Sequence, residues 1–284
     1  MAARVGLVGT GRRVVEVHAP ALGMGTWHMG EDPLRRDTEI TALRLGLDLG
    51  LTLVDTAEMY GDGLTEELVG EALAGRRDEA FLVSKVMPHH ATRGGTVAAC
   101  TASLHRLRTD HLDLYLRHWR GRVPLAETLA GFADLLRDGR IRQWGVSNFD
   151  TDDMIELMSL PGGDAVQVDQ VLYNLLRRGI EYDLLPWCAG VGIPVMAYSP
   201  VEQGLLLGHP AVRGVAERHG VSAAQVALAW VLRLDLVNAI PKAGTPKHVH
   251  EDRAAAALRL TPADLRELNL AFPPPDHKVP LEMH

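Results

Sequence analysis

The sequence predicts an α/β protein built as a single (β/α)8 TIM barrel, with an N-terminal β-hairpin over 1–20 and an irregular C-terminal tail over 273–284. Three observations carry this. Eight strand-helix units follow one another in series. No shift of composition interrupts them, so 1–284 reads as one domain. The length of 284 residues suits one closed parallel barrel, which commonly takes about 250.

Near the start, GLVGTGRRVV clusters glycines after a strand-like segment and imitates a dinucleotide-binding loop. That loop needs G-x-G-x-x-G opening a helix, so that backbone N–H groups meet the pyrophosphate. Here Gly9 and Gly11 lead into Arg12, Arg13, Val14 and Val15, a β-rich return without a third glycine. A hairpin is the better reading, and a Rossmann fold is rejected.

From Ala21 the alternation is regular. A strand over about 21–26 ends in GMGTW. A helix from about Asp37 carries Ile40, Leu43 and Leu47 on one face and closes at Gly50. A strand over 51–56 precedes a helix after Thr65 with Leu68, Val69, Ala72 and Leu73 inward. The strand at 81–85 is followed by the stripe Val97, Cys100, Leu104 and Leu107. Next come a strand at 112–118 and a helix whose first turn suits Pro124, with Leu125, Leu129, Phe132 and Leu136 spaced along it. Further strands are expected at about 141–147, 165–170, 193–199 and 236–241. The tail PPPDHKVPLEMH is proline-rich.

Composition narrows the function classes. A 46% hydrophobic and 23% charged chain supports a sizeable core. The net charge of −7 argues against nucleic-acid or anionic-membrane partners, both of which recruit basic faces. It leaves room for a phosphate-bearing cofactor in a local basic pocket. The two cysteines imply no disulfide framework, and no leader or apolar span is seen, so a cytoplasmic protein is expected. The 13 histidines show no metal-ligand spacing, and His89–His90 and His248–His250 read as solvated pairs; no metal is expected.

Chemistry in such a barrel belongs at the C-terminal ends of strands. Period-two alternation puts Leu51, Leu53 and Asp55 on one face, then Phe81, Val83 and Lys85, then Leu114, Leu116 and His118. Three consecutive strands thus carry apolar residues below and one ionisable group at the lip. Neighbouring strands lie about 4.8 Å apart, so the three groups can converge, and Tyr60 on the loop after Asp55 can lean over them. One strand-end lysine alone would be an ordinary snorkelling residue, but three aligned groups are harder to attribute to chance.

These residues resemble the aldo-keto reductase superfamily. DTAEMYG is similar to its Asp/Tyr motif, LVSK to its lysine motif, LYLRHW to its histidine motif and WGVSNF to its nicotinamide-amide motif; VDQVLYN, AYSPVEQG and AIPKAGT follow in the family's order. The ordered set spans nearly the whole chain. The EYDLLPW segment and compact loops look most like the bacterial branch that includes methylglyoxal-reducing enzymes.

The resemblance implies NADPH-dependent reduction of a carbonyl. Tyr60 would be the general acid, Lys85 the partner lowering its pKa, Asp55 the ion-pair partner of Lys85, and His118 the orienter of the carbonyl. Ser147, Asn148 and Gln170 would hold the nicotinamide amide, with Tyr198 stacked on the ring and Ser199 beside it. Trp27 and Trp119 would line the substrate pocket. In isolation, Ser147-Asn148 would read as a helix cap, Tyr198 as a core aromatic and each Trp as packing. Lys242 would meet the 2′-phosphate, but the expected serine is Ala243 and the expected arginine is His248, while Glu251 and Asp252 fall where the adenine is bound. Losing a charge-assisted bond there weakens the NADPH preference by about 1.5–3 kcal/mol, so NADPH is favoured with NADH use left open, and Lys247 is a candidate compensator. The short loops after His118 and Ser199 suggest a shallow pocket for small aldehydes and dicarbonyls. Family resemblance also implies a monomer. Two rivals remain: a cofactor-binding sensor with little turnover, and a Schiff-base aldolase using Lys85.

Overall fold

The computed structural model describes residues 21–284; the expected hairpin at 1–20 lies outside them. Eight parallel strands form one sheet in sequence order: β1 (Met24–Gly25), β2 (Leu53–Asp55), β3 (Phe81–Val86), β4 (Leu112–Arg117), β5 (Ile141–Ser147), β6 (Asp169–Leu172), β7 (Val195–Tyr198) and β8 (Val237–Ala239). Parallel bridges Leu22–Ala239 and Gly25–Lys242 join the last strand to the first and close the barrel. Around it run α1 (Arg36–Asp48), α2 (Leu64–Ala72), α3 (Arg93–Leu107), α4 (Leu125–Arg137), α5 (Thr151–Ser159), α6 (Leu184–Val191), α7 (Pro210–His219), α8 (Ala223–Val231), α9 (Pro246–Ala255) and α10 (Pro262–Ala271). Among the described residues no helix is long and apolar enough to cross a membrane.

The barrel interior is a small apolar plug of Leu53, Val83, Leu114, Leu116, Val168, Met196 and Ile240, separate from the larger layer between strands and helices. It forms the floor beneath the strand-end polar groups. Leu51 departs from the alternation expected of it and packs in the outer layer instead. The cause is local. Gly50, at φ 82°, ends α1, and the Leu51 amide turns back to the Gly46 carbonyl at 2.9 Å, so β2 begins only at Leu53.

Other boundaries move for similar reasons. The first strand shrinks to Met24–Gly25 with an isolated bridge at Leu22. The sixth begins at Asp169, because a tight turn at Gly163–Ala165 occupies the start of its expected range. Pro124 is the residue before α4, not in its first turn. His118 follows β4, yet its N–H still bonds the Val86 carbonyl at 3.0 Å, which keeps it in line with the strand. The tail is irregular, as expected, but pinned: Lys278 pairs with Asp152 and Asp183, and Glu282 pairs with Arg177.

The seam between first and last strands is tight. A Cβ at Gly25 would stand 2.6 Å from the Ile240 carbonyl oxygen. Gly25→Ala is therefore expected to push the seam apart, destabilising by about 1–3 kcal/mol and lowering the thermal midpoint by several degrees. Calorimetry checks this, and an unchanged midpoint would contradict the closure described.

Candidate active site

The polar groups at the strand ends form one connected network. Lys85, fully buried on β3, donates to Asp55 Oδ2 at 2.7 Å, to the Thr56 carbonyl at 2.8 Å and to the Tyr60 hydroxyl at 3.2 Å. The other Asp55 oxygen accepts from Gln170 Nε2 at 2.7 Å across the barrel. All three ammonium protons of Lys85 thus have partners, and so do both carboxylate oxygens. That satisfies the condition for a buried ion pair to persist. Tyr60 reaches the lysine because its loop turns sharply: Gly61 and Asp62 are both left-handed, at φ 55° and 53°.

His118 closes the other side of the phenol. Its ring meets Tyr60 edge-on at 6.0 Å between centroids, and its Nδ1 is buried without a partner. Burial, reinforced by the Lys85 charge, drives its pKa well below the ordinary imidazole value, so the ring is neutral and offers one N–H. Lys85 behaves oppositely. Burial alone would favour its neutral form, but Asp55 and Tyr60 together raise its pKa, and it stays an ammonium.

Tyr60 corrects one expectation. Lys85 does pull the phenol pKa down, but burial pushes it up more strongly and the Asp55 charge adds to the rise, so the net direction is upward from 10.0. The resting phenol is a protonated donor, not an acidified one. The influence of Lys85 falls on the phenolate left after the proton departs.

The sequence-predicted amide cluster lies next to this set. Ser147 and Gln170 are register partners on β5 and β6, and Ser147 Oγ donates to the Gln170 carbonyl at 2.7 Å. Asn148 takes φ 56°, a left-handed turn that asparagine tolerates, and donates to the His118 carbonyl at 3.0 Å. Tyr198 in turn donates to Asn148 Oδ1 at 2.9 Å. Gln170 therefore also ties this cluster to Asp55. Asp150 caps α5 directly behind the turn with a reciprocal capping box. Ser199, left-handed at φ 48°, presents its carbonyl to Asn174 at 2.9 Å.

The expected pocket and nucleotide residues are spread more widely. Trp119 tilts against His118 at 5.1 Å. Trp27 and Tyr198 both face the His284 ring, at 6.4 and 6.2 Å between centroids, so the tail covers one side of the mouth that sequence reasoning left open. Lys242 is exposed just past β8, and His248 is exposed in the first turn of α9. Glu251 lies within 3.9 Å of Lys247, so that lysine is turned along α9. Asp252 is not on the surface beside Glu251 as an adenine ligand: it is buried, and burial with the neighbouring Glu251 charge pushes its carboxyl to about 8. Sequence reasoning missed Glu202, buried and bonded to Asn174 and Arg177 at 2.6 and 2.7 Å beneath Ser199.

The buried ion pair has a stability consequence. Lys85→Met leaves the Asp55 carboxylate buried without its cation and is expected to cost about 3–5 kcal/mol at neutral pH. Adding Asp55→Asn removes the stranded charge and recovers part of the loss. Denaturant midpoints of both variants check this; simply additive losses would contradict the pairing.

Comparison with known proteins places the chain in a family. Residues 21–271 match the model of the aldo/keto reductase family. The methylglyoxal reductase YeaE of Escherichia coli K12 is 52% identical over 94% of this chain and 96% of its own. A second E. coli protein, an NADH-specific methylglyoxal reductase, is 30% identical over 86% of this chain and 91% of its own. A crystal structure of an aldo/keto reductase from Klebsiella pneumoniae in complex with NADP and acetate superposes with a TM-score of 0.92 at 48% identity, covering 94% of this chain and 96% of that one. The chain belongs to the aldo/keto reductase family.

Proposed function

We propose that this protein reduces small aldehydes and ketones, methylglyoxal-like dicarbonyls among them, to alcohols with NADPH, and that Tyr60 is the general acid. The observation that carries the reading is the contact of the Tyr60 hydroxyl with a buried, ion-paired lysine beside a neutral histidine. A methylglyoxal reductase half-identical to this chain and the NADP-bound Klebsiella relative support the substrate class and cofactor.

The residues fit a nicotinamide dinucleotide. The half-buried Tyr198 ring, fixed through Asn148, stands at the barrel mouth as a stacking face, and the Ser147–Asn148–Gln170 cluster supplies the donor and acceptor types of a carboxamide seat. NADPH, when bound, supplies the hydride to the carbonyl carbon. His118 gives a hydrogen bond from its neutral ring to the carbonyl oxygen and sets its direction. Tyr60 passes its hydroxyl proton to that oxygen as negative charge develops there. Lys85 stabilises the phenolate left behind from 3.2 Å, and Asp55 keeps the ammonium charged and aimed. A developing alkoxide is a stronger base than a phenolate, so the raised pKa of Tyr60 does not prevent transfer. The apolar plug under the site keeps water from the underside of the reacting groups.

The test is Tyr60→Phe. It removes the transferable proton, and with it one of the three acceptors of Lys85, so methylglyoxal reduction should fall about 10²-fold or more while the dissociation constant for NADPH stays close to wild type. Unchanged turnover would defeat the role given to Tyr60. Wild-type protein that binds NADPH but turns over no aldehyde would favour a sensor instead.

A further inference from the structure

The position expected to hold a phosphate-binding arginine is His248, and Lys247 is directed along α9 toward Glu251. Another cation comes into that corner from a different part of the chain. Arg35 stands immediately before α1, more than two hundred residues earlier, and α1 packs beside α9 because the closing barrel makes first and last units neighbours. A Cβ built on Gly244 would lie 3.3 Å from Arg35 Nη2 and 3.6 Å from Lys242 Cε, so the two cations flank this glycine.

Their surroundings leave both charges available. Glu39, buried on α1, has one oxygen on the Gly30 N–H at 2.8 Å and the other 3.8 Å from Arg35 Nε. That second oxygen also lies 3.7 Å from the Cβ position of Gly244, so the carboxylate shares this corner with the two cations while the Nη edge of the arginine points toward the glycine. Glu31, the other nearby carboxylate, bonds His28 at 3.1 Å. Among the described residues neither the Arg35 Nη groups nor Lys242 Nζ donates a hydrogen bond to the protein. The Lys242 pKa is lowered first by partial desolvation of this otherwise exposed side chain and next by the Arg35 charge, with Glu39 and Glu31 opposing, so the two cations lie close enough to interact. Glu39 and Glu31 offset part of the repulsion between these neighbouring cations, and an anion bound between the cations would offset more of it. The amide end of α9, capped by Thr245, opens beside them.

We infer that Arg35 and Lys242 together form the seat of the cofactor's 2′-phosphate, with Arg35 doing from the β1–α1 loop what His248 does not. The guanidinium fork suits a phosphate bidentately, and the missing side chain at Gly244 gives it room to approach. This rests on the reading of NADPH as cofactor and adds the residue that sets selectivity over NADH.

Equilibrium titration of NADP+ and NAD+ into the full-length protein tests it, with Arg35→Gln and Arg35→Lys beside wild type. The ratio of NADP+ to NAD+ affinity should fall about tenfold or more in Arg35→Gln and be largely kept in Arg35→Lys. The NADP+ affinity should also become less dependent on salt in Arg35→Gln. A ratio within twofold of wild type in Arg35→Gln would overturn the assignment, as would equal weakening of both dinucleotides, which would mean that Arg35 serves only the fold. Wild type that binds NAD+ alone would overturn it too. Failure of wild type to bind either dinucleotide would sink the reductase reading, and this assignment with it.

Discussion

A lysine held charged inside a protein is the constraint on which the rest depends. Lys85 has no water contact, so its ammonium persists because Asp55, the Thr56 carbonyl and the Tyr60 hydroxyl accept its hydrogen bonds and Asp55 balances its charge. Each of those partners must then be placed to within a few tenths of an ångström. Parallel strands of fixed register do this: β2 and β3 bring Asp55 and Lys85 to adjacent lips, and the left-handed turn at Gly61–Asp62 swings Tyr60 back over them. The apolar plug below fixes the height of the group, since none of it can sink.

The same wiring extends round the mouth. Gln170 joins Asp55 to the Ser147–Asn148 corner, and Asn148 joins the ends of β4, β5 and β7 through His118 and Tyr198. Asn148 and Ser199 both sit in left-handed backbone, each at a strand end and each held by hydrogen bonds from neighbouring elements. Local strain is tolerated there because the turns must aim polar groups inward while the chain leaves for the next helix. The groups proposed for catalysis and for cofactor binding are thus parts of one hydrogen-bonded rim, and displacement of any strand end disturbs both.

Much of this was legible in the sequence. Asp55, Lys85 and His118 ended consecutive apolar strands, and β5 kept its expected bounds at Ile141–Ser147. Leu51 was misplaced because a helix-ending glycine next to it overrode strand alternation. Arg35 was not visible, because its meaning comes from barrel closure, which juxtaposes residues far apart in the chain. Nor was the role of the tail: nothing in a proline-rich stretch says that His284 comes to rest between Trp27 and Tyr198. The direction of the Tyr60 shift was missed for a different reason. A neighbouring cation can be inferred from sequence, but the depth of burial that outweighs it cannot.

The central claim is that Tyr60 rests as a protonated phenol whose anion is stabilised by the Lys85 charge. Tyrosine labelled with 13C at Cζ, assigned by comparison with Tyr60→Phe and followed by NMR as pH rises, measures this directly. The account predicts that Tyr60 stays protonated past the ordinary value of 10.0 and titrates higher still in Lys85→Met, where burial acts unopposed. Ionisation of Tyr60 below that value, or an identical titration in the two proteins, would contradict it.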